Sequence, residues 1–226
     1  MVYGKFTACR LASLVMSRLT ALFASLIFAA LAPAAWAGDV VFTVVNAKNQ
    51  PVADAVITAY PPGPKAGTIR FSWPQAMDQH NLQFDPFVLV VPVGADVTFP
   101  NRDAVRHHVY SFSPAKPFEL KLYGQDQTRS VKFDKVGMVA LGCNIHDNMV
   151  AFIKVVDTPF AAKTDAMGQA VVHGLPAGPV QVHIWQPYLK APGNEIVRTA
   201  VASASGVTRE AIQVDVRAAP DRRGAY

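Results

Sequence analysis

The chain has 226 residues, of which 51% are hydrophobic, and a formal net charge of +5 at pH 7. No cluster of basic residues interleaved with aromatic residues occurs, so the composition argues against a nucleic-acid-binding protein. No segment after residue 37 is long and apolar enough to span a membrane.

The first 37 residues have the order of a secretory signal peptide. The basic residues Lys5, Arg10 and Arg18 precede an apolar stretch over 19–31, and Ala35-Trp36-Ala37 supplies a small-x-small cleavage site. We therefore expect cleavage after Ala37 and export to the periplasm. A retained N-terminal anchor is the alternative, but the apolar stretch is shorter than the roughly 20 residues that a membrane span needs.

Export decides how the cysteines are interpreted. Cys9 leaves with the signal peptide, so the mature chain keeps Cys143 alone and cannot form an internal disulfide. An unpaired thiol in an oxidising compartment is a liability unless it is buried or bound to a metal. Metal ligation is the interpretation that also accounts for the residues around Cys143.

The mature sequence predicts an all-β protein. Short runs of Val, Ile, Phe and Tyr alternate with Gly, Pro, Asn and Asp, and no sustained 3.6-residue pattern appears. The first two strands are predicted over 40–45 and 55–60, around a turn at 47–51. A stretch of Pro and Gly over 61–64 then interrupts the pattern.

A pair of adjacent histidines, His107 and His108, follows in a stretch that reads as a strand. Adjacent strand residues point to opposite faces of the sheet, so the two imidazoles should not both reach one metal ion.

Further along, a cysteine, a histidine and a methionine occur at close spacing. Alternation along 138–143 places Cys143 in the inward phase at the end of a strand, and an apolar run over 150–156 predicts the next strand. His146 and Met149 therefore fall on the connection between two strands. One thiolate, two imidazoles and one thioether form the ligand set of a blue-copper site, in which soft sulfur favours Cu(I) and imidazole accommodates both oxidation states.

Other interpretations of these residues are weaker. A c-type haem is excluded by the absence of Cys-x-x-Cys-His. Zinc remains an alternative, although structural zinc prefers four strong ligands and a thioether is a poor one. A thiol nucleophile built from Cys143 and His146 is a third reading, but nothing else in the chain resembles a thiol-enzyme signature.

The stretch 101–109 (NRDAVRHHV), followed downstream by Cys-x₂-His-x₂-Met, resembles the cupredoxin family and is most similar to its amicyanin-like members with a short ligand loop. The resemblance covers about Met77 to Val156. It implies a Greek-key β-sandwich that holds one type 1 copper ion, with His107, Cys143 and His146 as strong ligands and Met149 as the axial ligand.

The same resemblance assigns roles to two neighbours of the ligands. Asn101 matches an asparagine whose side chain ties the two ligand loops together. His108 is expected to face outward or to pack against Tyr110. One departure is clear, because Ile145 and Asp147 flank His146 where amicyanin-like loops carry prolines.

The remaining strands resemble a second kind of module. The phrases over 44–55, 164–168 and 175–178 are similar to parts of a carboxypeptidase-regulatory, or Cna-B-like, β-sandwich, in which they belong to one domain. Insertion of a domain at a loop whose ends lie close is tolerated. A tandem arrangement, in which the first two strands join the cupredoxin-like part, is the alternative.

These resemblances imply a division of the chain into five parts. We expect a signal peptide at 1–37, the first part of the regulatory-like sandwich at 38–62, the cupredoxin domain at 70–157, the second part of the sandwich at 158–218 and a disordered tail at 219–226.

The whole chain resembles periplasmic proteins of the methylamine-utilisation type that carry a cupredoxin module. This resemblance implies a non-catalytic electron carrier whose partner is a periplasmic redox protein such as a c-type cytochrome or an amine dehydrogenase. Two alternatives stay open: a copper-binding or delivery protein without a redox partner, and a surface interaction protein with an incidental metal site.

Overall fold

The structure is a computed structural model that describes residues 37–64 and 67–219. The expected signal peptide, apart from Ala37, and the expected tail after residue 219 lie outside the described residues. Within the described ranges, no helix has the length and apolar character that a membrane crossing requires.

The described chain is built from strands, so the all-β prediction is confirmed. Among the residues that the structure describes, the single helical element is a 3₁₀ turn at Pro192–Asn194. The strands are β1 (Ala37–Asn46), β2 (Val56–Tyr60), β3 (Asp78–His80), β4 (Gln83–Asp85), β5 (Val88–Pro92), β6 (Ala95–Pro100), β7 (His107–Ser111), β8 (Phe118–Tyr123), β9 (Thr128–Phe133), β10 (Gly137–Cys143), β11 (Val150–Val156), β12 (Ala161–Lys163), β13 (Gln169–Pro176), β14 (Gly178–Trp185), β15 (Glu195–Ala202) and β16 (Val207–Val214).

Strands from the two ends of the described chain form one β-sandwich, here called the flanking sandwich. Its sheets have the strand orders β13-β1-β16 and β12-β2-β14-β15. Strand β1 runs antiparallel to β13 and parallel to β16, and its alternate residues Val40, Phe42 and Val44 are fully buried. Alternation of buried and outward residues is what a sheet with one face on a core requires.

Strands β3 to β11 pair among themselves and form a central sandwich. A five-stranded sheet of order β5-β11-β10-β7-β8 faces the smaller pairs β3-β4 and β6-β9 across a core of large apolar side chains. In chain order the central sandwich lies between β2 and β12, both of which belong to the flanking sandwich. The domain limits at 62, 70 and 157 and the family of the flanking sandwich stay predictions.

An apolar cluster joins the two sandwiches. It contains Val56 and Trp185 from the flanking sandwich and Val88, Val90 and Val156 from the central one. All five side chains are at most 3% exposed. This contact fixes the flanking sandwich against β5 and β11.

Charged and polar side chains complete the same contact. Lys154 of β11 forms an ion pair of 2.7 Å with Glu195 of β15, and Lys163 donates to the carbonyl of Val88 over 2.9 Å. The hydrogen bond from Lys163 satisfies a carbonyl at the edge of β5. Unpaired carbonyls at a sheet edge allow a strand of another chain to pair there.

Replacing Trp185 with alanine should destabilise the protein by about 3–5 kcal/mol, because the change leaves a cavity in a closed apolar cluster. Trp185 is 1% exposed and its indole N–H has no hydrogen-bond partner among the described residues, so Trp185→Phe loses no hydrogen bond there and should cost less. Urea denaturation measures both values. Val201 of β15 is 58% exposed, and Val201→Ala serves as a control expected to stay within about 0.5 kcal/mol of the unaltered chain. A loss below 1 kcal/mol for Trp185→Ala would contradict the packing described.

Candidate metal centre

Three metal-ligating side chains converge at one end of the central sandwich. His107 begins β7 and Cys143 ends β10, and the two strands are neighbours with Cys143 opposite Val109. Both side chains lie on the buried face of their strands, with His107 at 0% and Cys143 at 4% exposure. Strand pairing therefore brings together two residues that are 36 positions apart.

The donor atoms lie close enough for one ion. The ligating atoms of His107, Cys143 and His146 all fall within 4.8 Å of one another. Cys143 Sγ is 3.8 Å from His107 Nδ1 and 3.6 Å from His146 Nδ1. Bonds of about 2.0–2.3 Å from one metal to sulfur and nitrogen, at tetrahedral to trigonal angles, separate those two atoms by about 3.6–3.8 Å. The cluster has the dimensions of a mononuclear site.

The loop between β10 and β11 is closed by its own backbone. The N–H of Cys143 donates to the carbonyl of Met149 over 3.2 Å, and the N–H of Met149 donates to the carbonyl of His146 over 3.0 Å. Met149 is fully buried and belongs to the same core cluster as Cys143. Met149 is thus held in the core by the loop that follows Cys143, and its thioether is the candidate axial ligand.

A further hydrogen bond ties this loop to the strand of the other histidine. The N–H of Asn144 donates to the carbonyl of His108 over 3.1 Å. Together with the pairing of β7 and β10, this bond fixes the two ligand-bearing segments relative to each other.

Asn101 is fully buried, and its side chain bonds to the segment that precedes His107 and to the end of β8. Its amide nitrogen donates to the carbonyls of Val105 (2.8 Å) and Tyr123 (3.1 Å), and its oxygen accepts from the N–H of Asp103 (2.9 Å). These three bonds shape the turn that leads into His107. The predicted tie to the loop after Cys143 is not among these three bonds and stays a prediction.

Asp103 is the functional residue that the sequence reasoning missed. Its Oδ2 lies 2.8 Å from His107 Nε2, the ring nitrogen that faces away from Cys143. A carboxylate there accepts a hydrogen bond from Nε2–H, which leaves the Nδ1 lone pair directed at the metal position. An acidic residue four positions before a candidate ligand was the available signal.

The pKa values are consistent with a neutral imidazole beside an ionised carboxylate. Burial lowers the pKa of His107 below its ordinary value, against the opposing effect of Asp103. For Asp103, burial alone would raise the pKa, but hydrogen bonds from His107, Leu82 and Asn81 together outweigh it and lower the pKa.

His108 lies on the opposite face of β7, as strand alternation predicts. It is half-buried, and its Nε2 lies 2.9 Å from a carboxylate oxygen of Glu119 of β8. Among the described residues, the three-residue metal cluster contains His107 and not His108.

The surface near the site is partly apolar and partly charged. His146 is half-buried, while Ile145 next to it is 47% exposed and Val105 on the other ligand segment is 44% exposed. Asp147 on the other side of His146 is exposed. The site therefore reaches solvent through a mixed surface beside one imidazole.

Comparison with known proteins gives only partial likeness. The chain matches no family model and no curated protein. A purple cupredoxin from Nitrosopumilus maritimus is 25% identical, over 34% of this chain and 84% of its own, with a TM-score of 0.31. A reduced amicyanin variant is 24% identical, over 44% of this chain and 98% of its own, with a TM-score of 0.34. An amicyanin variant with Cu(I) is 25% identical, over 36% and 80%, with a TM-score of 0.33. With TM-scores this low, the likeness is limited to part of the chain and does not assign a function to it.

Proposed function

We propose that this protein is a periplasmic blue-copper protein that carries single electrons between redox partners. The observation that supports it most is the convergence of one thiol and two imidazole nitrogens within 4.8 Å, next to a buried methionine. In this proposal His107, Cys143 and His146 hold one type 1 copper ion and Met149 is its axial ligand.

The donor set fits copper better than the alternatives. A thiolate, two imidazoles and a thioether stabilise both Cu(I) and Cu(II), whereas zinc favours four strong donors. Copper bound there would supply a one-electron couple at a site in which His107 and Cys143 are buried.

The scaffold suits an electron carrier because it restricts ligand movement. Cys143 is anchored by pairing between β10 and both β7 and β11, and His107 by the same sheet and by Asp103. Little rearrangement between oxidation states is what makes single-electron transfer fast, since ligands held by secondary structure and hydrogen bonds need not move. We propose no catalytic role for the chain.

The partner would approach the half-buried edge of His146. Ile145 and Val105 offer apolar area there, and a periplasmic c-type cytochrome or an amine dehydrogenase is the partner class that we propose. Export rests on the signal-like sequence of the first 37 residues.

A copper delivery protein is the second candidate, and one observation favours it. Asn144 and Asp147 are both exposed on the ligand loop, so the rim of the site is more polar than a dry docking face between redox proteins would be. The two functions differ in how readily copper leaves. Rapid transfer of copper to an acceptor chelator or protein, without a reversible redox cycle, would favour delivery.

Purified protein loaded with one equivalent of Cu(II) should be intensely coloured through thiolate-to-copper charge transfer. The colour should vanish on reduction by ascorbate and return on reoxidation, with copper retained throughout. Optical spectroscopy and metal analysis before and after the cycle provide the measurement. A colourless protein that selects zinc would overturn the proposal.

A further inference from the structure

A hairpin remote in sequence from the ligands has an unusual loop. Strands β3 and β4 are joined by two residues, Asn81 and Leu82, with φ angles of +54° and +57°. Two-residue loops of this kind favour Asn-Gly, because glycine alone adopts positive φ freely. Leucine in the left-handed region is strained, and such conformations persist where the surroundings hold them.

What holds this loop is the carboxylate of Asp103. The N–H of Asn81 donates to Oδ1 over 2.7 Å, and the N–H of Leu82 donates to Oδ2 over 3.1 Å. Oδ2 is also the oxygen that lies 2.8 Å from His107 Nε2. One carboxylate, with its side chain only 13% exposed, therefore links the hairpin loop to a candidate metal ligand.

Further hydrogen bonds hold the backbone on either side of this carboxylate. The N–H of Asp103 donates to the side chain of Asn101, and the N–H of Arg102 donates to the carbonyl of Gln79, the middle residue of β3. The hairpin and the segment 101–103 are thus joined by backbone as well as by side-chain bonds.

We propose that the hairpin loop Asn81-Leu82 is a positioning element of the metal centre, which acts through Asp103 to orient His107. This inference rests on the proposed function only in taking His107 as a ligand. The left-handed backbone directs two N–H groups at the carboxylate, which fixes its rotation and keeps Oδ2 on the imidazole.

The physical effect is on how strongly His107 binds. A fixed carboxylate accepts a hydrogen bond from Nε2–H, makes Nδ1 a stronger donor to a metal and prevents the imidazole ring from rotating away from the metal position. Without the two N–H donors, the Asp103 side chain can turn toward water, and the imidazole loses its orientation. With the two N–H donors in place, the strained backbone of the loop therefore strengthens metal binding.

Two double variants of the loop separate backbone conformation from side-chain chemistry. Asn81→Val with Leu82→Val disfavours positive φ at both positions, whereas Asn81→Gly with Leu82→Gly permits it and keeps both N–H groups. We expect the valine pair to bind Cu(II) at least about tenfold more weakly, as is typical when a partner of a ligand is lost, and the glycine pair to stay within about twofold of the unaltered chain. Equal affinities for all three proteins would overturn the proposal.

Amide hydrogen exchange in the metal-free protein gives a second measurement, which decides the matter if the valine pair does not fold. The amide protons of Asn81 and Leu82 should be protected in the unaltered chain and should exchange at least about tenfold faster in Asp103→Ala, in line with loss of their acceptor. The amide of Asn49, which bonds to Asn46 in the flanking sandwich, is the internal control. Unchanged exchange at both loop positions would overturn the proposal.

The same affinities measured with Zn(II) distinguish this inference from the electron-carrier proposal. Absence of a coloured Cu(II) species in the unaltered chain would defeat the electron-carrier proposal alone. The positioning role would stand if the valine pair still bound Zn(II) about tenfold more weakly than the glycine pair, and would fall if the two pairs bound it equally.

Discussion

Replacing Cys143 with serine should abolish the visible absorption of the copper-loaded protein and lower its Cu(II) affinity by more than about 100-fold. Thiolate-to-copper charge transfer needs the sulfur, and a serine hydroxyl is neither soft nor readily deprotonated. The loss should exceed the 10–100-fold typical of changes to partners of the ligands, because a ligand itself is removed. Serine is close in size to cysteine, so the 4% exposed position should not collapse.

Leu141→Ala is the matched control for the cysteine substitution. Leu141 lies two residues earlier on the same buried face of β10 and is 3% exposed. Its truncation should cost about 2–5 kcal/mol of folding free energy and leave the colour in place. Optical titration with Cu(II) and urea denaturation of each variant separate ligand loss from destabilisation. A blue Cys143→Ser protein would show that the thiol is not a ligand.

The second large effect is expected from the histidine pair. His107→Ala should eliminate the coloured species, since it removes one of three strong donors and Met149 cannot replace it. His108→Ala should leave the spectrum nearly unchanged, because its imidazole lies on the other face of β7 and pairs with Glu119 over 2.9 Å. The lost contact with Glu119, whose side chain is 56% exposed, should cost about 0–1 kcal/mol.

Comparison of the two histidine spectra tests the register of β7 directly. Bleaching by His108→Ala with retention of colour in His107→Ala would mean that the inward and outward faces of the strand are exchanged. His173→Ala offers a further control, since His173 is an exposed histidine on the flanking sandwich that pairs with Asp39 over 2.9 Å.

Local sequence patterns predicted the strand character of the chain and the residue types of the candidate site. Period-two alternation predicted the buried phase of Cys143 at the end of a strand, and the structure gives β10 that pattern, with Val139, Leu141 and Cys143 buried. The same rule separated His107 from His108. Such inferences succeed because the two faces of a strand depend only on neighbours along the chain.

Contacts between distant segments are not encoded in such patterns. The resemblance implied that Asn101 ties the two ligand segments together, and in the structure its amide bonds to Val105, Asp103 and Tyr123. Which groups lie within 3 Å of a buried amide depends on the side-by-side order of strands, and no local pattern encodes that order.

The amino-acid sequence by itself determined the strand character of the chain, the inward phase of Cys143, the placement of His107 and His108 on opposite faces of a strand, and the donor chemistry of the candidate site. Only the tertiary structure decided that Asp103 holds His107 and that Asn81 and Leu82 hold Asp103. The physical reason is that side-chain type and period-two alternation are local properties, whereas a hydrogen bond across 21 or 22 residues exists only once sheet pairing has set which loops meet.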